Sequence, residues 1–233
     1  MVKLKRLLVP EFWHVAKKRT TWAVVPSAGP HKGMESIPIL VLVRDILKLV
    51  EIANEAKQIC KKGEVLVDGK KVKDYAFPVG LMDSVSIPKS EKYLRIIPTI
   101  KGLKILEIPE KETSVKLCKI KNKKVISKNK IQLNLHDGRN ILVSKDEYKT
   151  GDSLLLEVPS QKIVEHFKLE KGSMGIITRG RNAGKTTVVK NYLVIRGREP
   201  NKIVCDLDEK EIEIIKDYFF VVGKNKPAIK ISE

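Results

Sequence analysis

The sequence predicts an α+β protein that is mostly β. Helical spacing of apolar residues is confined to Ile37–Gly63, and beyond it short β-rich runs alternate with Gly, Pro, Asn and Asp turn signals. Aromatics make up only 5% of the chain and the apolar residues are mainly Ile, Val and Leu, which favours small β modules. At 233 residues, two or three such modules are expected rather than one large domain.

Residues 1–36 mix basic residues (Lys3, Lys5, Arg6, Lys17, Lys18, Arg19) with Phe12, Trp13 and Trp22, and sustain neither a helical nor a strand period. This pattern suits an arm that lies along a nucleic acid, its tryptophans stacking on bases. From residue 37 to 92 a compact module is expected. Ser36 is placed to cap a helix starting at Ile37, with Pro38 in its first turn and Leu40, Val43, Leu47 and Val50 on its core face. Arg44 and Lys48, four apart, would form one basic patch. A second helix runs from a cap at Asn54 to Gly63, carrying Lys57, with Lys61 and Lys62 at its negative end. Val65–Val67 is a strand and Asp68-Gly69 a hairpin turn, followed by Lys70, Lys71 and Lys73. Pro78-Val79-Gly80 leads into a strand at Ser84–Ile87.

Residues 93–170 read as a small barrel or sandwich, with strands at Leu117–Val125, Ile131–Leu135, Asn140–Val143 and Leu154–Val158. The run Lys119, Lys121, Lys123 and Lys124 reads as a solvated strand face. Residues 171–233 form a third module: a strand at Gly175–Thr178, a Gly-rich loop, then β-branched segments at Thr186–Lys190 and Tyr192–Ile195. Four of the nine arginines (Arg179, Arg181, Arg196, Arg198) fall here, a residue whose planar fork grips phosphate and stacks on bases. Asn182 and Lys185 share the loop.

The formal net charge is +18, and basic residues outnumber acidic ones in all four segments: seven to two before residue 37 and thirteen to eight over 37–104. The counts are thirteen to ten over 105–170 and thirteen to eight thereafter. An excess spread this way points to a polyanion as partner. Cys60, Cys118 and Cys205 are far apart and form no CxxC, which argues for a reducing cytosol and against a disulfide framework or zinc ribbon. His14, His31, His136 and His166 do not cluster with them in sequence, so no metal or other cofactor is expected. No apolar stretch is long enough to span a bilayer.

Gly180–Thr186 reads GRNAGKT, close to a phosphate-binding P-loop. That motif needs glycine five residues before Gly184, where Arg179 stands, and a helix afterwards, where β-branched residues follow. Asp206, Asp208 and Glu209 sit near a turn, and Glu211 and Glu213 alternate with isoleucine as on a half-exposed strand. No nucleophile–base pairing or small-molecule site is evident.

Arg44-Asp45, Gly63–Lys70 and Pro78-Val79-Gly80 resemble the S-four-type RNA-binding fold, an arch of two helices and a β-loop. Gly172–Val189 resembles a KOW module, a small SH3-like barrel. Their order, with the arm and the central β domain, resembles along essentially the whole chain the e-type S-four family of the archaeal and eukaryotic small ribosomal subunit. Gly29-Pro30-His31-Lys32 and Gly223-Lys224-Asn225-Lys226-Pro227 fit the same family. Ending at Glu233, the chain resembles its archaeal-type members. The resemblance implies a structural, non-enzymatic protein of the cytoplasmic ribosome, bound to small-subunit ribosomal RNA and neighbouring ribosomal proteins. The candidate RNA contacts are the basic residues of the arm and of the 37–92 module named above, Trp13, His31 and Lys32, and Arg179, Arg181, Asn182 and Lys185 of the loop. The competing readings are an RNA-modifying enzyme with an appended arch and a KOW-type transcription factor. The loop sequence predicts that the wild-type protein has no magnesium-dependent ATP or GTP affinity by calorimetry. Micromolar binding abolished by Lys185→Ala would restore the P-loop reading.

Overall fold

The computed structural model describes residues 3–18, 20–127, 130–207, 210–224 and 226–231, so Arg19, Asp208, Glu209 and Asn225 lie outside the described residues. The chain forms two compact units, the first from residues up to 97 with 101–114, the second from 98–100 with 115–233.

Unit 1 opens with β1 (Leu4–Lys5) paired to β2 (Trp22–Ala23), followed by β3 (Ile37–Pro38) and α1 (Ile39–Val41). The helix runs on as a π-helical turn over Leu42–Ile46, where Leu47 N–H reaches the Leu42 carbonyl at 2.9 Å. Then come α2 (Ala53–Lys61), β4 (Leu66–Val67), β5 (Lys70–Lys71), β6 (Pro78–Val79), β7 (Ser84–Ile87), β8 (Lys92–Thr99) and β9 (Gly102–Glu107). Strands β5, β4, β7, β8 and β9 lie side by side in one sheet, and β3 pairs with β6.

The first helix departs from expectation. Ile37-Pro38 serves as a strand, so Ser36 caps nothing; its hydroxyl donates to the Gly33 carbonyl at 3.1 Å. The segment Ile37–Val43 is buried on every side, which is why its sequence is a continuous apolar run rather than an amphipathic stripe. The helix ends at Ile46 and Lys48 adopts a left-handed φ of 51°, so the predicted Arg44/Lys48 patch on a single helix face does not form. The second helix starts two residues earlier than predicted. Ile52 is its cap residue, its N–H donating to Glu55 Oε2 at 3.3 Å, and Asn54 is already helical. Its end is as expected: Gly63 takes the left-handed conformation (φ 70°) that a C′ position favours. Asp68 and Gly69 both have positive φ, the signature of a type I′ turn, and the Asp68 carboxylate accepts the Ser84 N–H at 3.0 Å, fastening the hairpin to β7.

The N-terminal segment is part of this core. Trp13 is 0% exposed and its indole N–H donates to the Ser36 carbonyl at 2.8 Å, while Phe12 is buried with it. The expectation of a stacking arm built on Trp13 is therefore corrected: an indole this enclosed cannot meet a base. Gly29–His31 packs on Pro78–Gly80 with almost no clearance. A Cβ on Gly80 would lie 2.3 Å from His31 Cγ, and the His31 ring meets Asp83 Oδ1 at 3.0 Å while Asp83 Oδ2 accepts the Gly80 N–H at 2.9 Å.

Unit 2 contains two antiparallel five-stranded sheets. The first comprises β10 (Val115–Ser127), β11 (Lys130–Leu135), β12 (Asn140–Val143), β13 (Ser153–Glu157) and β14 (Ile163–Phe167), in the order β12-β11-β10-β13-β14. The second comprises β15 (Met174–Ile177), β16 (Thr186–Leu193), β17 (Lys202–Leu207), β18 (Lys210–Ile215) and β19 (Phe219–Gly223), in the order β18-β17-β16-β15-β19. Cys118, Ile120, Leu133, Leu154 and Leu156 fill the first core. The two β-branched segments predicted after the Gly-rich loop are one strand with a bulge between Val189 and Asn191.

Gly80→Ala is expected to destabilise unit 1 by about 1–3 kcal/mol through overpacking. In urea denaturation, Gly80→Ala combined with His31→Ala should recover part of that loss, because the ring creates the clash. Additive losses would show that the two sites do not communicate.

Candidate nucleic-acid interface

In unit 1, one group of exposed lysines lies where α2 ends beside the β4–β5 hairpin. Lys61 and Lys62 close the helix, and the Lys71 stem runs beside Gly63, whose Cβ position lies 3.5 Å from Lys71 Cδ. Lys70 and Lys73 are exposed on the same hairpin. The short turn brings them there, since a two-residue loop folds β5 straight back over the helix terminus. Lys57, one face away on α2, is half-buried with its ammonium 4.9 Å from the Tyr75 ring centroid.

Other predicted residues are held differently. Arg6 is buried and hydrogen-bonds Thr20, and it shares the Asp45 carboxylate with Arg44 at 3.7 and 2.7 Å respectively. His31, with only 7% of its side chain exposed, is a packing residue against Gly80 and Asp83. Lys3, Lys5, Lys17, Lys18, Lys32 and Lys48 are exposed. Trp22 is 49% exposed, paired with Lys5 across β1–β2 and with the Lys3 ammonium 5.5 Å from its ring. Sequence reasoning placed Trp13 and Trp22 together; only the alternation of burial along the folded segment separates them.

In unit 2 the Gly-rich loop joins β15 to β16 and exposes Arg179, Arg181 and Lys185, with Asn182 half-buried. The Arg179 guanidinium lies 6.0 Å from the Tyr218 ring. Its amides are turned inward: Ala183 N–H donates to the Gly180 carbonyl (3.1 Å), Gly184 N–H to Ile177 (2.8 Å) and Lys185 N–H to Asn182 (3.3 Å). A P-loop presents such amides to phosphate; here they are consumed by the turn, and a strand follows at Thr186.

The lysine run on β10 is a correction to the solvated-face reading. Lys119 reaches back to the carbonyls of Lys216, Asp217 and Phe219 at 3.0, 3.0 and 2.9 Å, joining the two sheets of unit 2. Burial pulls its ammonium down to about 8. Lys123 is bound to Asp146 and donates to the Tyr148 carbonyl at 3.1 Å, leaving Lys121 and Lys124 on the surface.

The fold also brings Cys118, His136 and Asp137 within 4.8 Å of one another, which their sequence spacing did not suggest. Their chemistry is that of an ion pair. Lys116, 1% exposed, places its ammonium 2.9 Å from Asp137 Oδ2, and Arg139 Nε lies 3.3 Å from the same oxygen. Burial alone would raise the Asp137 carboxyl. The Lys116 ammonium foremost, with the His136 ring and the Arg139 guanidinium, outweighs that and holds it well below the usual carboxylate range. The His136 Nδ1 accepts the Lys119 N–H at 3.2 Å. Two cations already neutralise the carboxylate, so a metal would meet repulsion rather than a vacant ligand set. The three cysteines are buried thiols; burial raises Cys60 to about 11 and also raises Cys205. Among the described residues no helix is long and apolar enough to cross a membrane.

Two β-rich units with lysine and arginine clusters on hairpins and loops define a multi-module nucleic-acid-binding protein. Comparison with known proteins gives it a family. Residues 2–33 match the RS4NT (NUC023) domain, residues 46–85 the S4 domain and residues 90–163 the ribosomal family S4e. The chain is 46% identical over 230 residues to the small ribosomal subunit protein eS4 of Archaeoglobus fulgidus, covering 97% of each chain. It is 44% identical to the eS4 protein of Methanothermobacter thermautotrophicus, covering 98% of this chain and 95% of that one. The crystal structure of the 30S ribosomal protein S4e from Thermoplasma acidophilum superposes with a TM-score of 0.70 at 31% identity, over 82% of this chain and 96% of that one. The chain belongs to the ribosomal S4e family.

Replacing Asp137 by Asn removes the carboxylate charge 2.9 Å from the buried Lys116 ammonium, which should cost about 3–5 kcal/mol in chemical denaturation. The wild-type carboxyl titrates below its unfolded value, so its contribution is present above about pH 4 and is lost as pH falls further. The gap between wild type and Asp137→Asn should therefore narrow on acidification below about pH 4. A gap constant with pH would disprove the ionic account.

Proposed function

We propose that this chain, a structural constituent of the small ribosomal subunit and not an enzyme, holds small-subunit ribosomal RNA through two principal surfaces. One is the junction of α2 with the β4–β5 hairpin, where Lys61, Lys62, Lys70, Lys71 and Lys73 converge. The other is the Gly-rich loop, with Arg179, Arg181, Asn182 and Lys185. The observation that carries the reading is the first junction: one tight turn stacks hairpin lysines over a helix end that already carries two. Like charges this close repel unless a polyanion neutralises them, and each neutralised phosphate releases condensed counterions. Lys3, Lys17, Lys18 and Lys32 extend the basic surface, and of the two tryptophans expected to stack on bases Trp22 supplies the platform. The S4 domain matched over residues 46–85 contains the first junction.

Binding of the purified protein to a small-subunit ribosomal RNA transcript should fall by about 10³–10⁵ between roughly 50 and 200 mM salt if six to ten phosphates are contacted. Lys61→Ala with Lys71→Ala, and separately Arg179→Ala with Arg181→Ala, should each reduce the slope of log affinity against log salt by about one unit per lost contact, with the fold intact. A salt-independent affinity would overturn the electrostatic account.

A further inference from the structure

The sheet formed by β10, β11 and β12 packs one face on its core through Leu133, Ile131 and Ile141, and turns the other outward. On that outer face Asn122, Asn134 and Asn140 stand in direct cross-strand register, one on each strand. The next row along is Lys124, Gln132 and Leu142, and beyond it Ser127 pairs with Lys130. None of these paired positions is acidic, although 28 carboxylates are spread through the chain. Asn122, Lys124 and Asn140 are exposed, and the Gln132 amide donates to Asn134 Oδ1 at 2.8 Å.

Asparagine is among the residues least suited to strands, and a face needing only solubility is served as well by Thr, Lys or Glu. Three in register therefore cost local β propensity without packing gain, the kind of violation that marks a functional surface. Each amide offers both a donor and an acceptor, and strands about 4.8 Å apart set the amides out as a flat, regular array. No aromatic stands in these rows to hold an unstacked base. The chemistry instead matches the wide, shallow minor groove of an RNA helix, whose 2′-hydroxyls both donate and accept and whose flanking phosphates suit Lys124 and Lys130.

We propose that this outer face is a distinct contact surface for paired RNA, reading ribose 2′-hydroxyls along a minor groove. It rests on the ribosomal RNA reading above, and its residues belong to neither of the surfaces named there. The test uses the full chain with a small-subunit ribosomal RNA transcript, by filter binding and nuclease footprinting. Asn122→Thr/Asn134→Thr/Asn140→Thr keeps good strand formers on the face. It should lower affinity by at least about tenfold, since three hydrogen bonds are removed, and leave the salt slope unchanged. Protection of one paired segment should disappear while other protections persist. Lys124→Ser should instead reduce the salt slope by about one unit. Should the triple variant fail to fold, Asn140→Glu at an exposed position decides, because a carboxylate there should weaken protection of the same segment. Wild-type affinity and an unchanged footprint in the folded variants would overturn the inference. A wild-type protein that protects no RNA at all would overturn the parent reading instead.

Discussion

Excess positive charge is the constraint under which this fold is built. With 46 basic residues against 28 acidic ones, every cation taken inside needs a carboxylate or several carbonyls beside it, or desolvation would outweigh the packing it allows. The structure meets that need site by site. Lys116 lies on Asp137, Arg95 on Glu112 at 2.9 Å, and Arg6 and Arg44 on Asp45. Lys119 is held by three carbonyls, and burial depresses its ammonium. Three carboxylates thus serve four of these cations, so the basic excess of the chain lies outside these pairs, and the hairpin and loop lysines are part of it.

Close backbone approach is the second determinant of unit 1. Gly29 and Gly80 let the segment before β3 lie against β6, with the His31 ring filling the space a side chain at Gly80 would take. Through that contact and the Trp13–Ser36 bond, the N-terminal segment becomes core, and its basic residues project from a fixed base rather than from a loose tail. Ordering entropy is then settled on folding and need not be met when RNA binds.

Local chemistry was legible where one residue type determines a conformation. Asp68-Gly69 predicted its hairpin because two consecutive positive φ values suit few other pairs, and Gly63 predicted the end of α2. Strand β12 was read with its observed bounds, and the strand after Gly184 was foreseen from its β-branched residues. Illegible features depended on distant partners. The first helix was drawn too long because Ile37-Pro38 pairs with Pro78–Val79, forty residues on. The fate of each tryptophan depends on what covers it: Trp13 and Trp22 look alike in sequence and differ entirely in exposure. Alternation on β10 correctly implied a strand, yet gave no hint that Lys119 faces the β19 side of its own unit or that Lys123 is tied to Asp146. For the candidate surfaces, sequence supplied the lysines and the loop; register supplied the asparagine row, whose members lie up to eighteen positions apart in the chain.

A chain that meets RNA through surface lysines gains affinity by accumulation. Exposed lysines are individually weak, because each retains most of its hydration and is screened by salt. Binding strength has to come from number and linkage. Once one surface of a unit engages RNA, its neighbours act at an effective concentration set by the connecting chain, so modest contacts multiply. Rigid placement within each unit raises that benefit, which gives the buried ion pairs a functional consequence as well as a structural one. Lys119, by holding two sheets of unit 2 together, keeps the Gly-rich loop and the asparagine face on one frame. On the proposed binding mode, loosening that frame would weaken RNA binding although every proposed contact residue remains.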